Sequence, residues 1–215
     1  MSAQIIGKGG FFGHDAPRKG HLFSGSLDVI SAIRRDLEAG VSALSIGVSI
    51  NLSAPGLVND KVVEALLALK AAHPERKIVV EITETALITQ LSVATAKIER
   101  LRRAGCLVAL DDFGSGYSSL RYLATMPVDM VKFDMSLVRL LDQADMRQRL
   151  VVEDIAEMVA TAGYDLVAEG IETEALLNRV IEVGFSHGQG YYLDRFQESG
   201  DGRQVTVSTV EGGVG

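Results

Sequence analysis

The sequence predicts an α/β fold built around a parallel sheet. From residue 42 onward, segments rich in β-branched residues alternate with segments of helical periodicity. Glycines follow several of the periodic segments, as at Gly105, Gly163 and Gly184, where they can end helices. Alternating strands and helices form parallel sheets with right-handed crossovers, so a βα barrel and an open doubly wound sheet both fit these observations.

The predicted strands share short apolar runs rich in β-branched residues. SALSIGVSINLS alternates apolar and polar residues, KIVVEITE and LVALDDF are compact apolar runs, and MVKFD follows Pro127. DLVAEGIE and HGQGYYL complete the series. In chain order the strands are expected at 42–53, 77–84, 107–113, 130–134, 165–172 and 187–193.

The predicted helices share apolar residues at i, i+3 and i+4 spacing. Ser26 can cap the first helix, Ile30, Ile33 and Leu37 form its apolar stripe, and Gly40 ends it. The later helices have the same periodicity and end near glycines. In chain order the helices are expected at 26–38, 59–73, 87–104, 118–124, 146–162 and 173–183.

Composition divides the chain into three regions. Residues 1–25 are glycine-rich and predict an irregular N-terminal segment, in which Ile5 and Ile6 could seed a short strand. Residues 26–196 contain the alternating elements and form the main domain. Residues 197–215 are polar and glycine-rich, which predicts a flexible C-terminal tail, although VTVSTV could add an edge strand.

Composition and charge exclude several classes of function. With 47% hydrophobic and 23% charged residues, the 215-residue chain can bury a sizeable core. Its net charge of −7 argues against nonspecific binding to DNA or to an anionic membrane. Cys106 is the single cysteine, which allows no internal disulfide and no cysteine-based zinc site. The sequence shows no membrane span and no secretory signal, so a cytoplasmic location is expected.

Polar side chains recur near the end of each predicted strand. Taken singly, each has a structural explanation: Asn51 could cap a turn, and Lys132 could be a solvated surface residue. Their recurrence in one register favours a shared site, because the carboxyl ends of parallel strands open on one face and ligands bind there. The set comprises Asn51, Glu81, Asp111, Asp112, Lys132, Glu169, Glu172 and Gln189.

The carboxylates in this set predict a divalent cation site. Five acidic groups in one place repel one another unless a cation compensates them, and Mg²⁺ or Mn²⁺ prefers oxygen ligands. Two such ions roughly 3.5–4 Å apart could clamp a phosphodiester for hydrolysis. The adjacent Asp111 and Asp112 would then serve the two metals, and Lys132 would orient the attacking water or neutralise charge developing on phosphorus.

The order of these motifs resembles the EAL family, the bacterial cyclic di-GMP phosphodiesterases. The matching stretches are NLS (51–53), EITE (81–84), DDFGSGYSSL (111–120), PVDMVKFD (127–134), AEGIET (168–173) and QGYY (189–192). The resemblance implies a modified (β/α)₈ TIM-type barrel that opens cyclic di-GMP to linear pGpG with Mg²⁺ or Mn²⁺.

The resemblance also implies roles for individual residues. It makes Asn51, Glu81, Asp111, Asp112 and Glu169 metal ligands, with Glu81, Asp112 and Glu169 also in the catalytic set beside Lys132. It makes Gln189, Glu172 and Asp134 contact the substrate region, and it makes Glu84 the anchor of the loop after Asp112. It further implies a homodimer formed through the loop at 114–120.

One motif of the family is out of place. The Glu-Ala-Leu that gives the family its name lies on the first strand, some 55–60 residues before the asparagine of NLS in typical members. Here Glu-Ala-Leu occurs only at 64–66 and 174–176, inside predicted helices. We therefore expect a barrel that is incomplete or rearranged at its N-terminal strand, with residues 1–25 or a second chain filling the gap.

Three functions remain open from the sequence. The first is a two-metal cyclic di-GMP phosphodiesterase with weak or no activity, because the motif glutamate is missing. The second is a non-catalytic module that binds cyclic di-GMP or a protein partner. The third is an assembly protein that associates through 114–120 and an exposed barrel edge. In any of them, Leu101, Leu110, Val131 and Cys106 are expected to be buried.

Overall fold

A computed structural model describes residues 2–5, 24–39, 47–83, 91–115, 123–143, 145–193 and 206–208. The strands are β1 (Ser2–Ile5), β2 (Val48–Leu52), β3 (Ile78–Thr83), β4 (Leu107–Phe113), β5 (Met130–Phe133), β6 (Asp165–Ala168), β7 (His187–Gly188) and β8 (Thr206–Ser208). The α-helices are α1 (Ser24–Glu38), α2 (Ala54–Val58), α3 (Asp60–Ala72), α4 (Leu91–Arg103), α5 (Met135–Val138), α6 (Met146–Thr161) and α7 (Glu174–Val183), with a 3₁₀ helix at Arg139–Asp142.

The chain divides into two compact units, Gly10–Met130 and Met1–Gly9 with Val131–Gly215. In the first unit, β2, β3 and β4 are parallel neighbours in that order. Their apolar residues are buried on both faces, which is typical of parallel strands covered by helices. Leu101 and Leu110 are fully buried and Cys106 is 2% exposed, so these packing predictions are confirmed.

Side-chain caps begin the helices that follow β2. Ser53 accepts a hydrogen bond from the backbone N–H of Gly56 at the start of α2. Asn59 accepts one from the N–H of Lys61 at the start of α3. Two ion pairs then join α3 to α4, Asp60 with Lys97 and Glu64 with Arg100.

In the second unit the strand order is β5-β6-β7-β1-β8. β7 pairs in parallel with β6 and with β1, and β8 pairs antiparallel to β1. The predicted strands near Ile5 and within VTVSTV are therefore confirmed in part. Phe133 and Phe185 pack edge to face with ring centroids 5.0 Å apart, and Val131 is fully buried as predicted.

The structure shortens two predicted strands. The strand expected at 165–172 ends at Ala168, and the one expected at 187–193 ends at Gly188, with a helical turn at 191–193. The positive φ of Gly170, 71°, turns the chain away from extended geometry soon after β6. The prediction had also missed α2, α5 and the 3₁₀ helix. α5 begins where Asp134 accepts a hydrogen bond from the N–H of Ser136.

The remaining elements lie close to their predicted bounds or outside the described residues. β4 matches 107–113 residue for residue, while α1 begins two residues before Ser26. The helix expected at 118–124, Gly40 and the first part of the strand expected at 42–53 fall largely or wholly outside the described ranges. Within those ranges, no helix combines the length and apolar character needed to cross a bilayer.

Candidate active site

Three oxygen-bearing side chains lie on one face of the sheet in the first unit. Asn51 on β2 is directly opposite Glu81 on β3, and Glu81 is opposite Ala109 on β4. Asp111 follows Ala109 by two residues, so it points to the same face. Asn51 is exposed, whereas Glu81 and Asp111 are half-buried. The structure thus brings these three predicted residues to the carboxyl ends of adjacent parallel strands.

Asp112 departs from regular strand geometry. Its φ is 58°, in the left-handed region that non-glycine residues rarely adopt and that aspartate tolerates better than most. Its backbone carbonyl accepts hydrogen bonds from the Ser115 N–H at 3.1 Å and from the Ser115 hydroxyl at 2.8 Å. The chain therefore turns at Asp112, and simple alternation does not decide where the second of the two adjacent carboxylates points.

Ser49 holds the Glu81 carboxylate. Ser49 lies two residues before Asn51 on β2, so its side chain points to the same face. It is 5% exposed, and its hydroxyl donates a hydrogen bond to Oε1 of Glu81. Sequence reasoning did not select this residue. Its period-two spacing from Asn51 was the signal that could have identified it.

In the second unit, a buried lysine, a half-buried glutamate and a half-buried glutamine form a polar cluster. Lys132 on β5 is 5% exposed, and its Nζ lies 2.7 Å from Oε1 of Glu169. The Gln189 side-chain amide donates to the same oxygen at 2.7 Å. Backbone bonds fix both partners, because the Glu169 N–H donates to the Phe133 carbonyl and the Gln189 N–H to the Ala168 carbonyl. The structure therefore brings together Lys132, Glu169 and Gln189, as the sequence predicted.

Close backbone approach holds the segment after Glu169 against the segment after Gln189. The Ile171 N–H donates to the Gln189 carbonyl at 3.1 Å, and the Tyr192 N–H donates to the Ile171 carbonyl at 3.0 Å. A Cβ atom at Gly190 would lie 2.3 Å from the Ile171 nitrogen, so only glycine fits. This contact fixes the backbone on which Gln189 lies.

The other predicted site residues have different surroundings. Glu172 is exposed and forms an ion pair with Arg139 at 2.8 Å, a partner that sequence reasoning missed. Asp134 caps α5 through Ser136. Glu84 and loop residues 116–120 lie outside the described residues, so their predicted roles stay predictions.

A cleft of about 620 Å³ lies at the amino end of β4, away from the carboxyl ends of the strands. Its lining includes Arg102, Arg103 and Cys106. Arg102 is paired with Asp129 at 2.6 Å, and Arg103 with Glu99 at 2.7 Å. Both arginines are thus paired with carboxylates of the same unit. The carboxyl ends of the strands remain the better candidate for the active site.

The donor set of the strand ends suits a hard divalent cation. The groups on the shared face of the first unit are one amide oxygen and two carboxylates, and β4 also carries the carboxylate of Asp112. Mg²⁺ and Mn²⁺ prefer such oxygen ligands, whereas structural zinc sites favour cysteine and histidine. The residues present therefore fit the metal that the sequence predicted.

Comparison with known proteins identifies the family. The EAL domain profile matches residues 27–195, and the chain belongs to the EAL domain family. The chain is 30% identical over 166 residues to cyclic di-GMP phosphodiesterase PdeA of Borreliella burgdorferi, a match that covers 76% of this chain and 25% of that protein. The chain thus spans about a quarter of that relative's length.

Solved structures agree with this assignment. The EAL domain of Mycobacterium smegmatis DcpA superposes with a TM-score of 0.68 at 27% identity, covering 80% of this chain and 81% of that one. The phosphodiesterase PaMucR, solved as a c-di-GMP complex, superposes with a TM-score of 0.62 at 27% identity, covering 77% of this chain and 67% of that one. The α/β fold class is confirmed, and the likeness to EAL domains is consistent with an incomplete TIM-type barrel.

Proposed function

We propose that this chain is an EAL-type domain that binds cyclic di-GMP and a divalent cation and hydrolyses the dinucleotide weakly to linear pGpG. The observation that carries the proposal is the cluster of Lys132, Glu169 and Gln189, in which the ion-paired side chains of Lys132 and Glu169 are only 7% and 15% exposed. Burying an ion pair costs several kcal/mol per ion before the attraction between the charges is counted. A pair at a strand end that serves only packing could be replaced by apolar residues, so its presence supports a chemical role.

The cation would be Mg²⁺ or Mn²⁺, held by Asn51, Glu81, Asp111, Asp112 and Glu169. A bound divalent metal would supply Lewis-acid chemistry at these residues, polarising the phosphate and making water more acidic. The oxygen chemistry of these residues supports this assignment, as does membership of a family that generally uses divalent metals.

The other side chains of the site are assigned roles in orienting the attacking water, offsetting charge on the phosphate and contacting the dinucleotide. Lys132 donates to Glu169 and, by our proposal, orients the attacking water and offsets negative charge developing on the phosphate. Gln189 fixes the rotation of Glu169 by its hydrogen bond. Glu172 and Asp134 contact the dinucleotide or its surroundings, and Glu84 anchors the loop that follows Asp112.

Weak turnover is proposed because one ligand of the family set is absent from this chain. No Glu-Ala-Leu precedes Asn51 in the sequence. Loss of a group that only supports a ligand typically lowers metal affinity about 10–100-fold, so loss of a ligand itself costs at least as much. Activity should therefore need about tenfold or more Mn²⁺ than a complete ligand set would require.

The test follows pGpG by chromatography after incubating the protein with cyclic di-GMP and Mn²⁺ at several concentrations. Slow product formation that rises with Mn²⁺ is expected, and Asp111→Asn should abolish both product formation and Mn²⁺ binding. Glu174→Gln, at an exposed position in the chance Glu-Ala-Leu of α7, serves as the charge-matched control. Unchanged Mn²⁺ affinity in Asp111→Asn would refute the metal assignment.

A second candidate is a module that binds cyclic di-GMP without cleaving it. The missing motif glutamate favours this alternative. Calorimetric titration with cyclic di-GMP in Ca²⁺, chosen to suppress turnover, is expected to show binding under both proposals. Binding without any pGpG in Mn²⁺ would select the second, and no heat at any concentration would reject both.

Dimerisation through 114–120 is proposed from the family resemblance alone. Light scattering across a concentration series should show twice the monomer mass. A mass of 23.0 kDa at every concentration would remove this part of the proposal and the assembly role with it.

A further inference from the structure

Ser49 is a polar residue in a position where a parallel strand usually carries an apolar one. It lies between Val48 and Ile50 on β2, and both neighbours are nearly fully buried. Its own exposure is 5%. Burying a hydroxyl costs free energy unless it is hydrogen-bonded, so the partner of Ser49 decides whether the residue is tolerated there.

The partner is a proposed metal ligand. The Ser49 hydroxyl donates to Oε1 of Glu81, a residue 32 positions later in the chain. Ser49 is directly opposite Val79, so it reaches Glu81 diagonally across the β2–β3 pair. A hydroxyl has one hydrogen to donate, and here the carboxylate receives it.

We infer that Ser49 is a positioning residue that orients the Glu81 carboxylate for divalent-cation binding. This inference rests on the proposed function, because it assumes that Glu81 binds the metal. Without the hydrogen bond, the carboxylate would lose a restraint on rotation about its last side-chain torsion, and coordination would have to restore that order. Groups that orient metal ligands in this way typically contribute 10–100-fold to metal affinity.

The variant Ser49→Ala removes the donor and leaves Glu81 in place. We expect Mn²⁺ affinity, measured by calorimetry or by electron paramagnetic resonance of free Mn²⁺, to fall about tenfold or more. Turnover should need correspondingly more Mn²⁺, whereas the KM for cyclic di-GMP at saturating Mn²⁺ should be unchanged. Ser49→Cys is nearly isosteric and has only a weak donor, so it carries the same test if the alanine variant fails to fold.

The control is Thr95→Val, which removes a part-buried hydroxyl that donates to the Leu91 carbonyl on α4. It should lower the unfolding temperature without metal about as much as Ser49→Ala, yet leave Mn²⁺ affinity unchanged. Mn²⁺ affinity within twofold of wild type in the Ser49 variants, or an equal loss in Thr95→Val, would overturn the inference. If the wild-type protein itself bound no Mn²⁺, the proposed function would fail first and the inference would fall with it.

Discussion

Replacing Gly190 by alanine should destabilise the protein strongly. The added Cβ would lie 2.3 Å from the Ile171 nitrogen, 2.4 Å from its carbonyl oxygen and 2.8 Å from its carbonyl carbon. All three are backbone atoms, so no rotamer change relieves the overlap. Overpacking alone costs about 1–3 kcal/mol, and here the two backbone hydrogen bonds of Ile171 would also be disturbed, at roughly 1 kcal/mol each. We therefore expect a loss of about 3 kcal/mol or more.

Thermal unfolding of Gly190→Ala and Gly163→Ala measures this effect. Gly163 has a φ of 93°, and a Cβ there would have no neighbour within 4 Å. Alanine at Gly163 therefore adds only the left-handed backbone cost of about 1–2 kcal/mol, offset in part by reduced freedom of the unfolded chain. At about 2–4 °C per kcal/mol, Tm should fall by roughly 6 °C or more in Gly190→Ala and by only a few degrees in Gly163→Ala. Equal Tm values for the two variants would refute the steric argument.

Three further predictions concern side chains away from the strand ends. Burial raises the pKa of the Cys106 thiol. A thiol reagent should therefore label Cys106 at least about tenfold more slowly in the native protein than in the unfolded protein, and equal labelling rates would contradict its burial. Asp129→Ala should cost about 1–3 kcal/mol of unfolding free energy, because the Asp129 carboxylate accepts a hydrogen bond from the Val108 N–H at 2.9 Å. Asp129→Asn keeps an acceptor oxygen and should recover much of this loss. Equal losses in the two variants would show that the hydrogen bond is not the cause. The hydrogen bond from Lys97, and then the Lys97 charge, lower the pKa of the Asp60 carboxyl below 3.8. The ion pair therefore stabilises the fold above pH 3.8, and this stabilisation is lost as the pH falls through the lowered pKa of Asp60. The stability gap between wild type and Asp60→Asn should therefore close in acid, and a gap that is constant with pH would show that it has another cause.

Strands bounded by clear local signals were predicted accurately from the sequence. LVALDDF is an apolar run between Cys106 and Gly114, and β4 occupies those seven residues. KIVVEITE predicted β3 to within one residue at each end. These segments succeed because strand period, apolar burial and the flanking residues all favour the same limits.

Strands that end through contacts with distant segments were predicted too long. AEGIE and QGYYL have the composition of strands, but Gly170 lies against Met135 and Gly190 against Ile171. Those contacts turn the chain at residues that local periodicity treats as part of the strand. The left-handed backbone at Asp112 is a similar case, because nothing in LVALDDF predicts a φ of 58° there.

The sequence by itself determined which polar residues end which strands, because a period of two and the position of each apolar run fix the order and the facing of side chains along a strand. Membership of the EAL family follows from the same motifs. The tertiary structure alone decided which side chains these polar residues contact. Ser49 hydrogen-bonds to Glu81, Lys132 and Gln189 share one carboxylate oxygen of Glu169, and Arg139 forms an ion pair with Glu172. The physical reason is that a hydrogen bond or an ion pair depends on angstrom-scale register between segments 20 or more residues apart, and no local pattern along the chain encodes that register.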